Sequence, residues 1–534
     1  MSTSSSGGPA EPLLSPGAVL EPVAALDPVE EPEPGSEPGL DEERGLECCA
    51  VCDHEDAAVT SPMIIHHTAP AGDRSLEPGL MAFLPPSGAE PNLLHVPLIG
   101  AVFRSRLYPG IFQAAGVAVF AVVMWATLFG TVDPHANVGS TIVWILWWPL
   151  LPLTFFLAAR FWCTVCPFPV VGDLVQKISG VSLPVPKLLK RYGIWIIDFL
   201  FILITWADHV FGIVGSPRGT GYLLLALFAG VVVMSLYFER RSFCSNLCFL
   251  GGLSGNYSMT SPLALRANHD NCRTKCRDLW CAKGSDRAAA CPMFEIPRTM
   301  DTNRECNLCG NCVKSCPHGS LRLELRKPTS EFWDVKKPRP EVAFLAMVLV
   351  GVVIIQNLTM LSVWEPLLAW TGSLTGTDSF NVNFTVLFVV AMAAPLAAML
   401  AVSKVSSRFS DRDALADFTI FGYAIIPLDL AAHMGHNLFH LLGEGLAVPR
   451  SIVEAFGGVW AHGDALLNTP TIQVLQYLML GAGALATAYA AYRIAGRGLK
   501  RPDFRVLVPH LVLIVVLVAV NVYMFAQPMA HRAG

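Results

Sequence analysis

Nine stretches of this chain are apolar over about the length that a bilayer's hydrocarbon core demands of a helix, roughly 20 residues. They lie near 111–131, 139–159, 193–213, 221–238, 341–361, 381–402, 416–442, 470–492 and 506–526. A backbone in hydrocarbon must satisfy its own polar groups, so each stretch is predicted as a helix. The fold class expected is an all-α polytopic membrane protein of about nine transmembrane helices. Composition agrees: 53% of the 534 residues are hydrophobic and 15% are charged, whereas soluble domains carry about a quarter charged residues.

The loops add an orientation. Seventeen lysines and arginines, from Arg104 to Arg505, flank one set of span ends, and only Arg218, Arg450 and Arg532 flank the other. The positive-inside bias predicts a cytoplasmic N-terminus and an external C-terminus, as for a multi-pass protein of a bacterial cytoplasmic (inner) membrane. Residues 1–60 hold fourteen acids against Arg44, a net charge of −13, and eight prolines fall within 1–40. Such a segment buries too little apolar surface to offset its ordering entropy, so it is predicted disordered. The first hundred residues lack the basic start and apolar run of a cleavable signal. No basic patch with interleaved aromatics is present, so no nucleic-acid partner is expected. The organisation expected is a disordered acidic cytoplasmic region (1–100), a four-helix membrane module with cysteine pairs (101–261), an insert (262–340) and a five-helix membrane module (341–534).

Eight of the fifteen cysteines fall in the insert. Cys306-x2-Cys309-x2-Cys312-x3-Cys316-Pro317 has the spacing at which three thiolates wrap one cubane cluster and a fourth reaches another. Upstream, Cys272-x3-Cys276-x4-Cys281-x9-Cys291-Pro292 repeats the order at wider spacing. Pseudo-symmetric exchange predicts Cys306, Cys309, Cys312 and Cys291 on one [4Fe–4S] cluster, with Cys272, Cys276, Cys281 and Cys316 on a second. A zinc ribbon would more often show two CxxC pairs set further apart. The insert is therefore expected to be a two-cluster bacterial ferredoxin-like α+β domain, and the pair of clusters an electron wire.

Two more pairs, Cys163-x2-Cys166-Pro167 and Cys244-x3-Cys248, follow the second and fourth spans at the same membrane edge. They are read as metal or cluster ligands, with a redox dithiol or plain reduced thiols as alternatives. The whole arrangement resembles the membrane-bound polyferredoxins of the NapH, NosR and CcoG type, over about residues 111–340. That resemblance implies electron transfer between the quinone pool, or another membrane donor, and a redox partner protein. In some members it implies maturation of a metal centre. The chain departs from the pattern in two places. The first pair has two intervening residues where three are common, and Phe249 stands where proline is expected. Cys48, Cys49, Cys52 and His54 in the acidic region are close enough in sequence to bind a metal, or are simply reduced thiols. With every cysteine on the predicted cytoplasmic side, disulfides are disfavoured.

The seventh stretch carries Asp429-x3-His433-x2-His436-x3-His440 on one helical face. Ionisable groups inside a membrane are costly and mark function by default. Ligands to a haem or further metal, a quinol site, and a polar seam between helices all remain open for His433, His436 and His440. Asp208 and His209, near the outer end of the third span, are placed to join them, while Asp198 lies deeper. Asp133, His135, Glu365 and His462 are read as solvated loop residues. The functions weighed are an electron-transfer protein or subunit of an oxidoreductase system, a copper-type metal reductase or maturation factor, and a redox sensor.

Overall fold

The computed structural model of the protein describes residues 92–327, 329–497 and 503–527. Among these, nine helices are long and apolar enough to cross a membrane: Gly110–Phe129, Val138–Ala158, Lys187–Phe211, Pro217–Tyr237, Pro340–Leu358, Phe380–Phe409, Ala414–Gly443, Thr469–Ala495 and Phe504–Ala526. The boundaries have local causes. The Ser216, Asp413 and Asn468 side chains accept from the backbone amides of Gly219, Ala416 and Thr471, and so cap the fourth, seventh and eighth spans. Pro217, Pro340 and Pro470 sit in first turns, where a missing N–H costs nothing. The second span contains a π-helical stretch, Ile142–Trp147, followed by Pro149 and Pro152. Such a widened turn relieves the hydrogen-bond ladder ahead of a proline.

The fifth and seventh spans form the centre, with 72% and 78% of their most apolar windows buried inside the protein. Small residues let helices close on them. A Cβ on Gly422 would stand 2.5 Å from that of Ala343, and one on Gly351 would stand 2.6 Å from the Ala391 carbonyl oxygen. The first span instead turns Trp125 and Phe129 outward, as suits a face meeting lipid tails.

Between the fourth and fifth spans lies the insert. Its ends are joined by one antiparallel pair, β1 (Leu263–Ala267) on β2 (Leu321–Leu325), in register from Leu263 opposite Leu325 to Ala267 opposite Leu321. Short helices His269–Thr274, Trp280–Lys283 and Asn311–Ser315 lie between. This two-stranded sheet is the strand content among the described residues, and it is less than an α+β domain needs to be recognised by its sheet. Most of the insert's backbone is instead turned around cysteines.

Glu331 ties the insert's closing strand down: it pairs with Arg266 at 2.5 Å and with Arg326, and accepts from the Asn303 amide at 2.9 Å. Helical structure is present ahead of the expected boundary at residue 100. Leu93–His95 and Pro97–Arg104 are helical. Asn92 Oδ1 accepts from the Leu323 amide at 3.0 Å, and Leu94 packs in the insert's own core. Cys48, Cys49, Cys52 and His54 lie outside the described residues.

Candidate iron–sulfur and cavity site

Twelve described cysteines are free thiols, and they gather into three groups of four. The first is Cys291, Cys306, Cys309 and Cys312. Burial, then repulsion from Cys309, Cys306 and Cys291, pushes the Cys312 thiol well up. Cys306 rises to about 12 and Cys291 to about 11, again by burial and then by their neighbours in the group. The loop that gathers them needs unusual backbone. Leu308 has φ 56° and Gly310 φ 74°, the left-handed region that glycine enters freely. This winding aims the amides of Leu308 and Asn311 at the Cys306 and Cys309 sulfurs.

The second group is Cys272, Cys276, Cys281 and Cys316, which together line a small cavity with Trp280, Arg298 and Ser320. The Cys281 thiol is pushed up to about 11 by burial and by Cys276, Cys316 and Cys272. The Ser320 amide donates to Cys316 Sγ at 3.4 Å. Cys291 and Cys316, the two Cys-Pro residues, thus fall in the groups opposite to their own sequence runs.

The third group joins the two membrane-edge pairs. Burial, then Cys163, Cys244 and Cys248, raises the Cys166 thiol well above its usual range. Cys244 rises to about 11 by burial, with Arg241 opposing. Gly251 sits directly over this pocket: a Cβ there would stand 2.7 Å from the Cys244 carbonyl oxygen.

The groups are stitched in series. Between the membrane edge and the first group, Arg160 Nη1 donates to the Arg304 carbonyl at 2.5 Å and to Glu305 Oε2 at 3.2 Å, and the Thr164 hydroxyl donates to the Asn307 carbonyl. The Tyr108 hydroxyl donates to Leu308 O at 2.7 Å, and the Lys314 ammonium to Tyr108 O at 2.7 Å. The first and second groups are close enough for Cys281 to contribute to the rise of Cys312.

These thiols fit iron–sulfur clusters. Among the described residues no set of three or more His, Cys, Asp or Glu is disposed to hold a single metal ion. Four neighbouring thiols per group, buried or half-buried and met by backbone amides, instead suit a larger cationic core. Arg160, Arg240, Arg241 and Lys314 stand beside them as counter-charge.

A cavity of about 370 Å3 opens next to the third group, inside the first five spans and the seventh. Cys166 and Phe249 line its thiol end; Asp208, His209, Gln356 and His436 line it toward the opposite end. Gln356 Oε1 is buried without a hydrogen-bond partner among the described residues. Sequence reading missed this cavity and Gln356, since nothing in a lone Gln within an apolar run marks it. His433, His436 and His440 share a face, and their Nδ1 atoms turn to different groups: Tyr257 Oη at 3.0 Å, Asn357 Oδ1 at 3.1 Å and Glu444 Oε2 at 3.3 Å. Asp198 is fully buried in the third span, away from these contacts. His135, Asp133, Glu365 and His462 do not line the cavity.

Residues 140–186 and 220–261 match the model of a 4Fe-4S binding domain. The matched segments contain the third group, Cys163, Cys166, Cys244 and Cys248. YccM of Escherichia coli (strain K12), which carries the name of an electron transport protein, is 27% identical over 202 residues. The similarity takes in 33% of this chain and 54% of YccM, so the chain spans about half the length of that relative. No solved structure matches the chain.

Proposed function

We propose that this chain is a membrane-bound iron–sulfur electron-transfer protein that moves electrons between a quinone in the 370 Å3 cavity and a redox partner protein at the insert. The observation that carries the reading is the position of Cys166. It belongs to the third thiol group and also lines the cavity. One side chain therefore joins an apolar chamber, suited to an isoprenoid carrier, to the start of a thiol series.

In this reading Cys163, Cys166, Cys244 and Cys248 hold a [4Fe–4S] cluster. Cys291, Cys306, Cys309 and Cys312 hold another, and Cys272, Cys276, Cys281 and Cys316 a third. Bound clusters supply one-electron relays. The chain itself supplies deprotonated thiolates, amides aimed at sulfur, and buried guanidinium groups that hold negative charge in a dry site. The ferredoxin-like character of the insert belongs to this proposal, resting on the exchange of Cys291 and Cys316 between groups. The 4Fe-4S domain match and the name of YccM support the same direction. The Lys/Arg bias orients the thiol end to the cytoplasm of a bacterial cell membrane.

Metal analysis of anaerobically purified full-length protein tests it. Three cubanes of four irons give about twelve irons and as many acid-labile sulfides per chain. A value near eight removes the membrane-edge cluster, and two or fewer overturns the proposal.

A further inference from the structure

We infer that His436, His440 and Glu444 form a proton outlet from the cavity to the end of the bundle opposite the thiols, so that a hydroquinone oxidised there sends its electrons and its protons to opposite ends of the protein. The inference rests on the quinone reading for the occupant, and adds the route of the protons.

The tautomer of His436 follows from its neighbour. Asn357 Nδ2 donates to the Val353 carbonyl at 2.8 Å, which turns Oδ1 toward His436 Nδ1 at 3.1 Å. An amide oxygen only accepts, so Nδ1 carries the hydrogen and the neutral ring keeps its lone pair on Nε2. A ring lining the cavity is thus set as a base. His209, also on the wall, is set the same way: its Nδ1 meets the Thr205 carbonyl at 2.9 Å. Asp208 accepts from the Val214 amide at 3.0 Å and stands 3.8 Å from the His209 ring. Gln356 Oε1, buried and unpartnered, adds a hydrogen-bond acceptor at the same end.

His436 continues into a series. Its ring centroid is 5.2 Å from that of His440, one turn on. His440 Nδ1 is 3.3 Å from Glu444 Oε2. All three are at most 1% exposed. Glu444 follows the last residue of the span, and two residues further the Leu446 amide donates to Asp464 O; Asp464 pairs with Arg450 of the helix Ala447–Ala455, and both are partly exposed. In the other direction Asp429, His433 and Tyr257 extend the buried line. Between Asp417 and Asp429, however, the seventh span offers only Tyr423 as a titratable group, over about 18 Å of helix. Water is nearer through Glu444.

The step balances. The hydroquinone loses two electrons and two protons and becomes quinone. The electrons leave one at a time toward the cluster ligands at Cys166. The first proton goes to Nε2 of His436, then to Nε2 of His440, whose Nδ1 proton passes to the Glu444 carboxylate and on to water; the His440 ring, left with its hydrogen on Nε2, turns to bring an N–H back to Glu444, and the second proton follows the same way.

The test uses the full-length, anaerobically loaded protein in liposomes, with orientation set by protease access to the insert. Decylubiquinone binding is read by quenching of Trp144, Trp147, Trp148 and Trp162, which line the cavity. Decylubiquinol oxidation is read by bleaching of the visible cluster absorbance, and proton release by a trapped pH dye. Glu444→Gln and His440→Asn are expected to keep the quenching midpoint within about twofold. Both are expected to slow bleaching at least tenfold, with a larger solvent isotope effect. Glu444→Asp restores most of the rate, and wild-type protons appear on the side away from the insert. Intact quenching with unchanged rates in both variants, or protons released on the insert side, overturns the outlet and leaves the quinone reading standing. Absence of quenching in the wild type overturns the quinone reading, and the outlet with it.

Discussion

Arg160 Nη1 lies 2.5 Å from the backbone oxygen of Arg304, and so pins the end of the second span to the loop that presents Cys306. The same guanidinium reaches Glu305 and sits beside Cys163. Burial alone would lower its pKa; the Cys163 thiolate and Glu305 more than offset this, so it stays charged. Replacing it with Gln leaves a buried carbonyl unmatched, at about 1–3 kcal/mol. Arg160→Gln is expected to lower the thermal midpoint of the purified protein and to release iron from the membrane-edge group before the insert. Arg160→Lys, which keeps the charge but not the fork, should fall between. Equal iron loss from all groups would contradict this placement.

The crossing of Cys291 and Cys316 makes a sharper prediction. Cys316→Ala and Cys272→Ala should remove the same paramagnetic signal of the reduced protein. Cys312→Ala and Cys291→Ala should remove another, although Cys316 is only four residues from Cys312. Each variant is expected to lose about four irons. If Cys316→Ala instead matches Cys312→Ala in its spectrum, the two groups are drawn wrongly.

Much of this was legible beforehand, for reasons the residues make plain. Apolar length fixes a span without any partner, so Gly110–Phe129 through Phe504–Ala526 follow the nine apolar runs closely. Thiol spacing sets a loop, so a tight winding from Cys306 to Cys312 is readable, and the positive φ of Leu308 and Gly310 is the backbone it takes. The matching of the two edge pairs was readable as well, since both follow spans ending on one side. What depends on distant partners was not readable. That His436 meets Asn357, and His433 meets Tyr257, requires knowing how the fifth span and the helix Phe249–Ser258 pack on the seventh. The cavity is a property of six helices at once, and no local pattern encodes it. The helix at Leu93–His95 likewise depends on a distant partner, since Asn92 Oδ1 accepts from the Leu323 amide.

Gly310 provides a backbone test. Its φ of 74° lies where a side chain is strained, and a Cβ would also come within 3.1 Å of the Phe103 carbonyl oxygen. Gly310→Ala is expected to cost about 1 kcal/mol or more. It should loosen the loop between Cys309 and Cys312, seen as faster loss of that group's iron to a chelator. Gly319→Ala serves as a comparison: its φ of 57° carries the same backbone strain, but nothing stands within 4 Å of the added carbon. It should destabilise less and leave the chelation rate alone.

Acid should weaken the clasp between the helix Pro167–Ser179 and the loop after the fourth span. Asp173 Oδ1 takes Arg240 Nε at 3.1 Å, and Oδ2 takes Arg241 Nη2 at 2.8 Å. Burial would raise the Asp173 carboxyl, but the two guanidinium groups override it and hold it below the ordinary carboxylate value. A depressed acid contributes stability that is fully present above its unfolded pKa, about 3.9, and that is lost as pH falls through the lower folded value. The clasp is therefore intact at pH 5, and its contribution declines only once the pH falls below the unfolded value of about 3.9. Asp173→Asn removes the charge at every pH. Its thermal midpoint should lie below wild type at pH 6, and the gap should narrow as the pH is brought down toward 3.5. A gap that stays constant over that range would mean that the carboxylate charge contributes nothing to holding Cys244 and Cys166 together.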